Sequence, residues 1–254
     1  MPKPKLVIFD LDGTLAESKS VMDSEMSGLL QQLLEKTNVA VISGGSFEQF
    51  QKQFLVGLSA PEHLLKNLSL FPTCGARFFR FDNEWSEVYA HTLTEAEKKE
   101  IFKAFEHAFK EAGFTKPAEL FGELIEDRGT QITFSAHGQK APTDLKAAWD
   151  PDQKKRHHIK KHLDTSIPHL EVRIGGSTSI DVTKKGIDKA YGVLQMEKYL
   201  GIPIKDMVFV GDALFEGGND HAALKTGVRG IMTSGPEETK KIIRKILTPL
   251  YPQR

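Results

Sequence analysis

The chain has 254 residues with 34 basic and 34 acidic side chains, so it carries no formal net charge at pH 7. This balance provides no positive field for nucleic acid or an anionic membrane, and we expect neither as a partner. The single cysteine, Cys74, excludes an internal disulfide, and the absence of a signal-peptide pattern or a spanning apolar stretch favours the cytoplasm.

The first 80 residues alternate between short apolar runs and amphipathic segments. In chain order they predict a strand at 6–9, a helix at 23–36, a strand at 39–42, a helix at 47–58 and a strand at 68–71. The strands are continuously apolar, which is typical of parallel strands covered on both faces. The pattern therefore predicts an α/β fold with a doubly wound parallel sheet as its core.

The middle of the chain has a different pattern. Thr94 and Glu97 form a capping-box sequence that begins a helix, and Gly113 ends it. Strands predicted at 130–134, 170–174 and 179–182 lie on either side of a charged helical stretch at 152–162. These elements predict an antiparallel α+β cap domain inserted at residues 84–186.

The α/β pattern resumes after the insert. It predicts helices at 189–199, 220–225 and 237–247 and strands at 207–210 and 228–232. We therefore expect residues 1–83 and 187–254 to form one catalytic core, with the cap inserted between them.

The first strand ends in two aspartates, Asp10 and Asp12, followed at once by Gly-Thr. Side chains alternate along a strand, so both carboxylates lie on one side, where like charges need a cation, a proton or a reaction. Mg²⁺ prefers such oxygen ligands, and one carboxylate can then attack phosphorus while the other acts as general acid and base. The alternative is an acidic turn at a strand end, and the pattern favours chemistry.

Further polar signals follow, most of them at the ends of predicted strands, where open α/β sheets bind ligands. Residues 43–45, Ser-Gly-Gly, offer a hydroxyl and backbone N–H groups to a phosphate, although they also suit an ordinary turn. Asp212 ends a later strand and Asp220 lies at the next helix start, which gives Mg²⁺ further carboxylates. Lys189 begins the helix after the insert and becomes catalytic only if it reaches this site.

Together these residues resemble the haloacid dehalogenase superfamily of phosphotransferases, and the order of core, insert and core is similar to its subgroup IIB. The resemblance implies that Asp10 forms an aspartyl-phosphate and that Asp12 is the general acid and base. It also implies that Ser43 and Lys189 bind the phosphoryl group. The implied Mg²⁺ ligands are Asp10, the backbone carbonyl of Asp12, Asp212 and the nearby Asp220.

Within this superfamily the chain is similar to the eukaryotic-type phosphomannomutases. The shared stretches lie at 44–48, 125–128, 175–182, 188–191 and 217–221. The resemblance implies that the cap residues Arg128, Ser179 and Asp181 bind the distal phosphate and sugar. The remaining candidate substrate-binding residues are Gly44 and Gly45 in the core and Gln139 and Lys146 in the cap. Lys19, Gln139 and Lys146 stand where the family has arginines, and neither lysine nor glutamine keeps the bidentate grip of arginine on a phosphate.

We therefore expect Mg²⁺-dependent phosphoryl transfer on a small phosphorylated sugar. The weaker distal clamp favours a phosphatase; the alternative is a phosphomannomutase that interconverts mannose 6-phosphate and mannose 1-phosphate. A non-catalytic sugar-phosphate sensor is disfavoured because both Asp10 and Asp12 are present. The cap histidines His137, His157, His158 and His162 are interpreted as part of a solvated basic face. We also expect a homodimer formed through the cap.

Overall fold

The structure, a computed structural model, describes residues 3–18 and 20–248. These residues divide into two compact units, one made of the chain up to Ala90 and from Asp188 onward, the other of His91–Ile187. Lys19, the expected replacement for a family arginine, lies outside the described residues.

Strands and helices alternate through most of the described chain. The strands are β1 (Leu6–Phe9), β2 (Asn38–Ile42), β3 (Leu68–Phe71), β4 (Arg77–Asp82), β5 (Glu84–Ala90), β6 (Ile125–Asp127), β7 (Gln131–Ser135), β8 (Leu170–Gly175), β9 (Ser179–Lys184), β10 (Met207–Gly211) and β11 (Arg229–Met232). The α-helices are α1 (Ser24–Leu34), α2 (Phe47–Phe50), α3 (Glu62–Leu65), α4 (Glu95–Glu111), α5 (Thr143–Trp149), α6 (Lys154–Ser166), α7 (Lys189–Leu200), α8 (His221–Leu224) and α9 (Pro236–Leu247). A π-helical turn, Gln51–Leu55, continues α2.

The first unit contains a seven-stranded sheet in the order β11-β10-β1-β2-β3-β4-β5. The strands from β11 to β3 are parallel, and β4 and β5 extend the sheet in antiparallel fashion. In the middle of the sheet, Phe9 of β1 lies opposite Val210 on one side and Val41 on the other. The predicted α/β fold with a doubly wound parallel sheet is confirmed.

Alternate residues of β1 face two different hydrophobic layers. Val7 and Phe9 belong to the cluster that includes residues of α1 and α9, whereas Leu6 and Ile8 belong to the cluster that includes Val193 of α7. Each fully buried aliphatic or aromatic side chain stabilises the fold by about 1.5–3 kcal/mol. Layers on both faces explain why the strand is apolar throughout, and they fix its carboxyl end, which Asp10 follows.

The boundary of the insert lies later in the chain than predicted. Residues 84–90, which the sequence analysis assigned to the cap, form β5 and pair with β4 in the sheet of the first unit. The hairpin turns at Asn83, whose φ of 63° lies in the left-handed region that asparagine tolerates. The first unit therefore extends to Ala90 instead of ending at residue 83.

The second unit is an antiparallel four-stranded sheet in the order β6-β7-β9-β8, with α4 and α6 supplying buried residues to the same hydrophobic cluster. The predicted capping box is present at the start of α4: the Glu97 N–H donates to the Thr94 hydroxyl over 3.2 Å, and the Thr94 N–H donates to the Glu97 carboxylate over 2.6 Å. Sequence analysis did not predict β6 or α5.

The helices of the described chain are short. The longest α-helix, α4, has 17 residues and carries several charged side chains. Among residues 3–18 and 20–248, no helix combines the length and the apolar character needed to cross a membrane.

Candidate active site

Three polar side chains of the first unit follow directly from parallel strands at one edge of the sheet. Asp10 follows β1, Ser43 follows β2 and Asp212 follows β10. The backbone keeps them in register, because the Asp10 N–H donates to the Val210 carbonyl over 3.0 Å and the Ser43 N–H donates to the Phe71 carbonyl over 3.3 Å. This is the carboxyl edge, where open α/β sheets bind ligands.

Lys189 connects two buried carboxylates of this site. Its Nζ donates to Oδ1 of Asp10 over 2.5 Å and also to Oδ1 of Asp220. The side chains of Lys189, Asp10 and Asp220 are 1%, 4% and 0% exposed. Asp188 caps the helix start by accepting from the Tyr191 N–H over 2.9 Å, which fixes the turn that presents Lys189. The lysine that sequence alone could not place therefore reaches the site.

The site is electrostatically strained around Asp10. Burial raises the pKa of the Asp10 carboxyl to about 8, the Lys189 ammonium opposes that rise, and the Asp220 carboxylate adds to it. Burial by itself lowers the pKa of Lys189, but the carboxylates of Asp10 and Asp220 outweigh it and hold that pKa above its usual range. The pKa of Asp212 is also raised, first by burial and then by Asp220. Shifted pKa values cluster at functional sites, so Asp10, Lys189 and Asp212 are candidate catalytic residues.

Asp10, Asp212 and Asp220 form an acidic cluster that fits a metal ion. Each offers one carboxylate oxygen, and these oxygens lie within 4.8 Å of one another. An all-oxygen donor set suits a hard cation such as Mg²⁺. Both oxygens of Asp220 already accept hydrogen bonds, Oδ1 from Lys189 and Oδ2 from the Ala213 N–H over 3.0 Å. Asp10 and Asp212 are therefore the more open ligands of the three.

Gly13, inside the first motif, is required by this cluster. Its φ of +79° is unfavourable for other residues, and a Cβ atom there would lie 2.5 Å from Oδ2 of Asp212. The glycine of the Asp-x-Asp-Gly-Thr sequence thus lets the first motif approach the carboxylate that follows β10. The first motif and Asp212 were separate signals in the sequence, and the structure places Gly13 of the motif close to the Asp212 side chain.

The predicted phosphate loop at Ser43, Gly44 and Gly45 is held by backbone hydrogen bonds. The Ser43 hydroxyl accepts from the Gly45 N–H over 3.2 Å. The carbonyls of Ser43 and Gly45 accept from the N–H groups of Cys74 and Thr73, each over 2.9 Å. The loop is therefore fixed against the turn after β3, and Ser43 lies at the same sheet edge as Asp10.

Asp12 has a partner that the sequence analysis missed. Nε2 of Gln53 donates to Oδ1 of Asp12 over 2.8 Å, and the Gln53 side chain is buried. Gln53 belongs to the π-helical turn after α2. No spacing in the sequence connects these residues, which are 41 positions apart.

In the second unit, two of the predicted cap residues, Ser179 and Asp181, share the polar face of the sheet. Asp181 of β9 lies opposite Thr133 of β7, and Thr133 lies opposite Glu126 of β6. The Thr133 hydroxyl donates to Oδ1 of Asp181 over 2.8 Å. Ser179 precedes Asp181 by two residues and therefore points to the same face. The opposite face packs into the hydrophobic cluster of this unit.

Arg128 is already engaged in an ion pair. Its Nε and Nη2 donate to Oε2 of Glu126 over 2.8 and 2.6 Å, and the Arg128 side chain is only 4% exposed. The two other cap candidates contact each other, because Nζ of Lys146 donates to the backbone carbonyl of Gln139 over 2.6 Å. Any phosphate that Arg128 binds must therefore share its guanidinium with Glu126.

A buried ion pair that the sequence analysis missed supports the hairpin of β8 and β9. Nε of Arg156 donates to Oδ2 of Asp150 over 2.8 Å, and its Nη1 donates to the Gly176 carbonyl over 2.6 Å. Both side chains are almost completely buried. The buried residues of α6 are Arg156, Ile159 and Leu163. Their helical spacing places Arg156 on the apolar face, and this spacing was the sequence signal that could have predicted a buried arginine.

Comparison with known proteins identifies the family of the chain. The chain matches the family of haloacid dehalogenase-like hydrolases over residues 7–249 and belongs to it. It is an enzyme of the phosphatase and phosphomutase class, as the motifs predicted. It is similar to the phosphomannomutase of Encephalitozoon cuniculi, with 26% identity over 251 residues that cover 95% of this chain and 93% of the relative. It is equally similar to that of Saccharomyces cerevisiae, with 26% identity over 252 residues, 96% of this chain and 95% of the relative.

Solved structures share the fold. An N-terminally truncated IMP-nucleotidase of Plasmodium falciparum superposes with a TM-score of 0.74 at 19% identity, covering 96% of this chain and 70% of that one. The C-terminal domain of trehalose-6-phosphate phosphatase of C. albicans superposes with a TM-score of 0.66 at 16% identity, covering 96% of this chain and 93% of that one. The sequence relatives favour the phosphomannomutase alternative over the phosphatase that the sequence analysis preferred.

Proposed function

We propose that the protein is a Mg²⁺-dependent phosphomutase of small sugar phosphates that works through an aspartyl-phosphate on Asp10. The observation that carries the phosphoryl-transfer chemistry is the contact of the buried Lys189 with both Asp10 and Asp220, beside Asp212. Such a group of one ammonium and three carboxylates suits binding of a dianionic phosphoryl group together with a divalent cation.

In this mechanism a carboxylate oxygen of Asp10 attacks phosphorus as the bond to the sugar oxygen breaks. Asp12 gives a proton to that leaving oxygen, and it takes a proton from the hydroxyl that attacks the aspartyl-phosphate in the second half-reaction. Lys189, the Ser43 hydroxyl and the N–H groups of the phosphate loop hold the phosphoryl oxygens. Bound through Asp10, the Asp12 carbonyl, Asp212 and Asp220, Mg²⁺ would neutralise the charge on those oxygens.

The mutase assignment rests on the relatives. Eight phosphomannomutases align with 94–96% of this chain, so the likeness includes the second unit as well as the first. A mutase must hold its sugar phosphate in either orientation, and the second unit would serve as the cap that binds the non-reacting phosphate. In this proposal the residues of that cap site are Arg128, Ser179, Asp181, Gln139 and Lys146.

Hydrolysis remains a second candidate function because of one specific observation. The guanidinium of Arg128 is bonded to Glu126, Gln139 carries no charge, and the ammonium of Lys146 is bonded to the Gln139 carbonyl. A distal site of this composition holds a phosphate less firmly than a set of arginines, which favours release of the dephosphorylated sugar.

The two functions differ in the product formed from mannose 1-phosphate. The protein is incubated with Mg²⁺ and mannose 1-phosphate, with and without glucose 1,6-bisphosphate, and both mannose 6-phosphate and free phosphate are measured. Mannose 6-phosphate that depends on the bisphosphate supports the mutase. Free phosphate without mannose 6-phosphate supports the phosphatase and overturns the mutase. The Asp10→Asn variant is the control, and it should form neither product.

A further inference from the structure

Gln53 is a buried polar side chain in contact with the proposed general acid and base. Only 5% of the residue is exposed, and its Nε2 donates to Oδ1 of Asp12 over 2.8 Å. A buried amide is costly to leave without a partner, so this donor and acceptor hold each other in place. The neighbouring Gln51 is exposed, although both residues lie in the same turn.

The π-helical turn gives Gln53 a second contact with the first motif's segment. The Val56 N–H donates to the Gln51 carbonyl over 3.0 Å, five positions back, and the Gly57 N–H donates to the Phe54 carbonyl over 3.1 Å. The Gln53 carbonyl instead accepts from the Met22 N–H over 3.0 Å. One residue thereby holds Asp12 through its side chain and Met22 through its backbone. Single π turns inside helices are frequent at functional sites.

A close backbone approach supports the same contact. A Cβ atom on Gly57 would lie 2.6 Å from the Met22 carbonyl oxygen, so only glycine lets the two segments come this near. The turn that carries Gln53 is therefore packed tightly against the segment that follows Asp12.

We propose that Gln53 is the positioning residue for Asp12. Its amide donates to Oδ1 of Asp12 and thereby fixes the orientation of the carboxyl group that gives the proton to the leaving oxygen. In that step the Asp10–phosphorus bond forms, the bond from phosphorus to the leaving oxygen breaks, and the leaving oxygen keeps the electron pair and takes the proton from Asp12. This inference rests on the proposed function, because it assumes that Asp12 acts as the acid.

The test uses two aryl phosphates of similar size and different leaving groups. Nitrophenolate is a weak base and leaves without a proton, whereas phenolate needs one, so only phenyl phosphate depends strongly on the general acid. For both substrates kcat/KM reports the steps up to release of the phenol, which include transfer to Asp10. Gln53→Met keeps the size of the side chain and removes the donor. We expect it to lower kcat/KM for phenyl phosphate about tenfold more than for 4-nitrophenyl phosphate.

Matched variants separate a positioning role from a structural one. Gln51→Met changes an exposed glutamine of the same π turn and should leave kcat/KM for both substrates unchanged. Gln53→Leu is a second uncharged variant without the donor, and it should show the same preference if Gln53→Met fails to fold. Circular dichroism and the thermal midpoint are recorded for each variant. Equal losses for both substrates, or no loss, in a folded Gln53 variant would overturn the proposal.

Failure of the proposed function gives a different result. Asp12→Asn should show the same preference as Gln53→Met and a larger loss. If Asp12→Asn lowers kcat/KM equally for both substrates, Asp12 is not the acid and the proposed function is wrong at that step. If Asp12→Asn shows the preference and Gln53→Met does not, the proposed function stands and the role of Gln53 is wrong.

Discussion

Nζ of Lys189 lies 2.5 Å from Oδ1 of Asp10, and both side chains are almost completely buried. The two residues are 179 positions apart in the chain, on either side of the inserted unit. Removing one member of a buried ion pair leaves the other charge without compensation. Replacing Asp10 and replacing Lys189 should nevertheless have unequal effects on stability, because Lys189 also contacts Asp220.

Asp10→Asn should abolish turnover and leave the fold intact. The amide cannot supply the attacking oxygen, and we expect activity to fall on the order of a thousandfold or more. Lys189 keeps Asp220 as a partner in this variant, so the metal-free protein should be no less stable than the parent. Lys189→Met instead leaves two buried carboxylates without a cation and should destabilise the protein by about 3–5 kcal/mol. Activity and urea unfolding in a chelator measure both effects. Residual activity above a trace in folded Asp10→Asn would exclude the aspartyl-phosphate.

The same variant should change how stability depends on pH. The pKa of Asp10 rises from 3.8 to about 8 on folding, chiefly through burial, so between those values the folded protein binds a proton that the unfolded chain does not. Stability of the metal-free protein should therefore fall as pH rises through this range and level off above it. The unfolding free energy of Asp10→Asn should not fall with pH in this range, because asparagine does not titrate. Unfolding free energies at a series of pH values test it, and parallel curves for parent and variant would contradict it.

Asp212→Asn should weaken Mg²⁺ binding and leave the fold intact. Asp212 is half-buried and has fewer hydrogen bonds competing for its oxygens than Asp220. We expect the Mg²⁺ concentration for half-maximal activity to rise on the order of tenfold or more. Ca²⁺ should inhibit, because it prefers more ligands at longer distances. Asp206→Asn, at the other end of β10, is the matched control. Full activity of the parent protein in a chelator would exclude the metal.

The sequence predicted the first unit well because its signals are local. The strand at 68–71 is recovered as β3, since an apolar run there ends at Pro72. β5 was assigned to the wrong unit because its residues 84–90 are exposed or half-buried. An exposed edge strand lacks the apolar pattern that would show which sheet it joins. The π turn at Gln51–Leu55 leaves the apolar spacing of a helix almost unchanged, so it was predicted as ordinary helix.

The site was predictable in its parts but not in its connections. Asp10, Ser43 and Asp212 each follow a strand, and parallel pairing brings strand ends together. The contacts of Lys189 with Asp220 and of Gln53 with Asp12 join segments 31 and 41 residues apart, which no periodicity connects. The pair of Arg128 with Glu126 was within reach, because residues two apart in an extended chain share a face.

Asp150→Asn should destabilise the second unit in a pH-dependent way. Burial alone would raise the pKa of Asp150, but the hydrogen bonds from Arg156 and the neighbouring N–H groups outweigh it and hold the pKa below its ordinary value. The group therefore stabilises the fold above its unfolded pKa, and that contribution is lost as pH falls through the folded pKa. Leaving Arg156 buried without its partner should cost about 3–5 kcal/mol at neutral pH. Urea unfolding at neutral and acidic pH measures the difference, which should narrow in acid.

Asp152→Asn is the control for that experiment. Asp152 is exposed and pairs with the exposed Lys154, so its loss should leave unfolding almost unchanged. Equal effects of the two substitutions, or an Asp150→Asn effect that does not narrow in acid, would contradict the role assigned to the buried pair.

Arg128→Lys should affect substrate choice without affecting the chemical step. Lysine keeps the charge but loses the planar grip that guanidinium has on a phosphate, and it also loosens the pair with Glu126. We expect KM for sugar phosphates to rise while turnover of a small aryl phosphate stays nearly constant. Glu126→Gln is the matched change, because it removes the negative charge that competes with a phosphate for the guanidinium, and it should lower that KM. Steady-state kinetics on both substrate types measure the effect.

Strengthening the distal clamp should shift the balance between mutase and hydrolase. Gln139 and Lys146 contact each other in the second unit, so Gln139→Arg with Lys146→Arg places two guanidinium groups in one region. Tighter binding of a bisphosphate intermediate favours its retention over release, and the gain in differential binding should be about one to two kcal/mol at most. The ratio of mannose 6-phosphate to free phosphate measures it. Equal losses of sugar-phosphate and aryl-phosphate turnover in Arg128→Lys, with no change of that ratio in the double variant, would place these residues in the fold instead of a phosphate clamp.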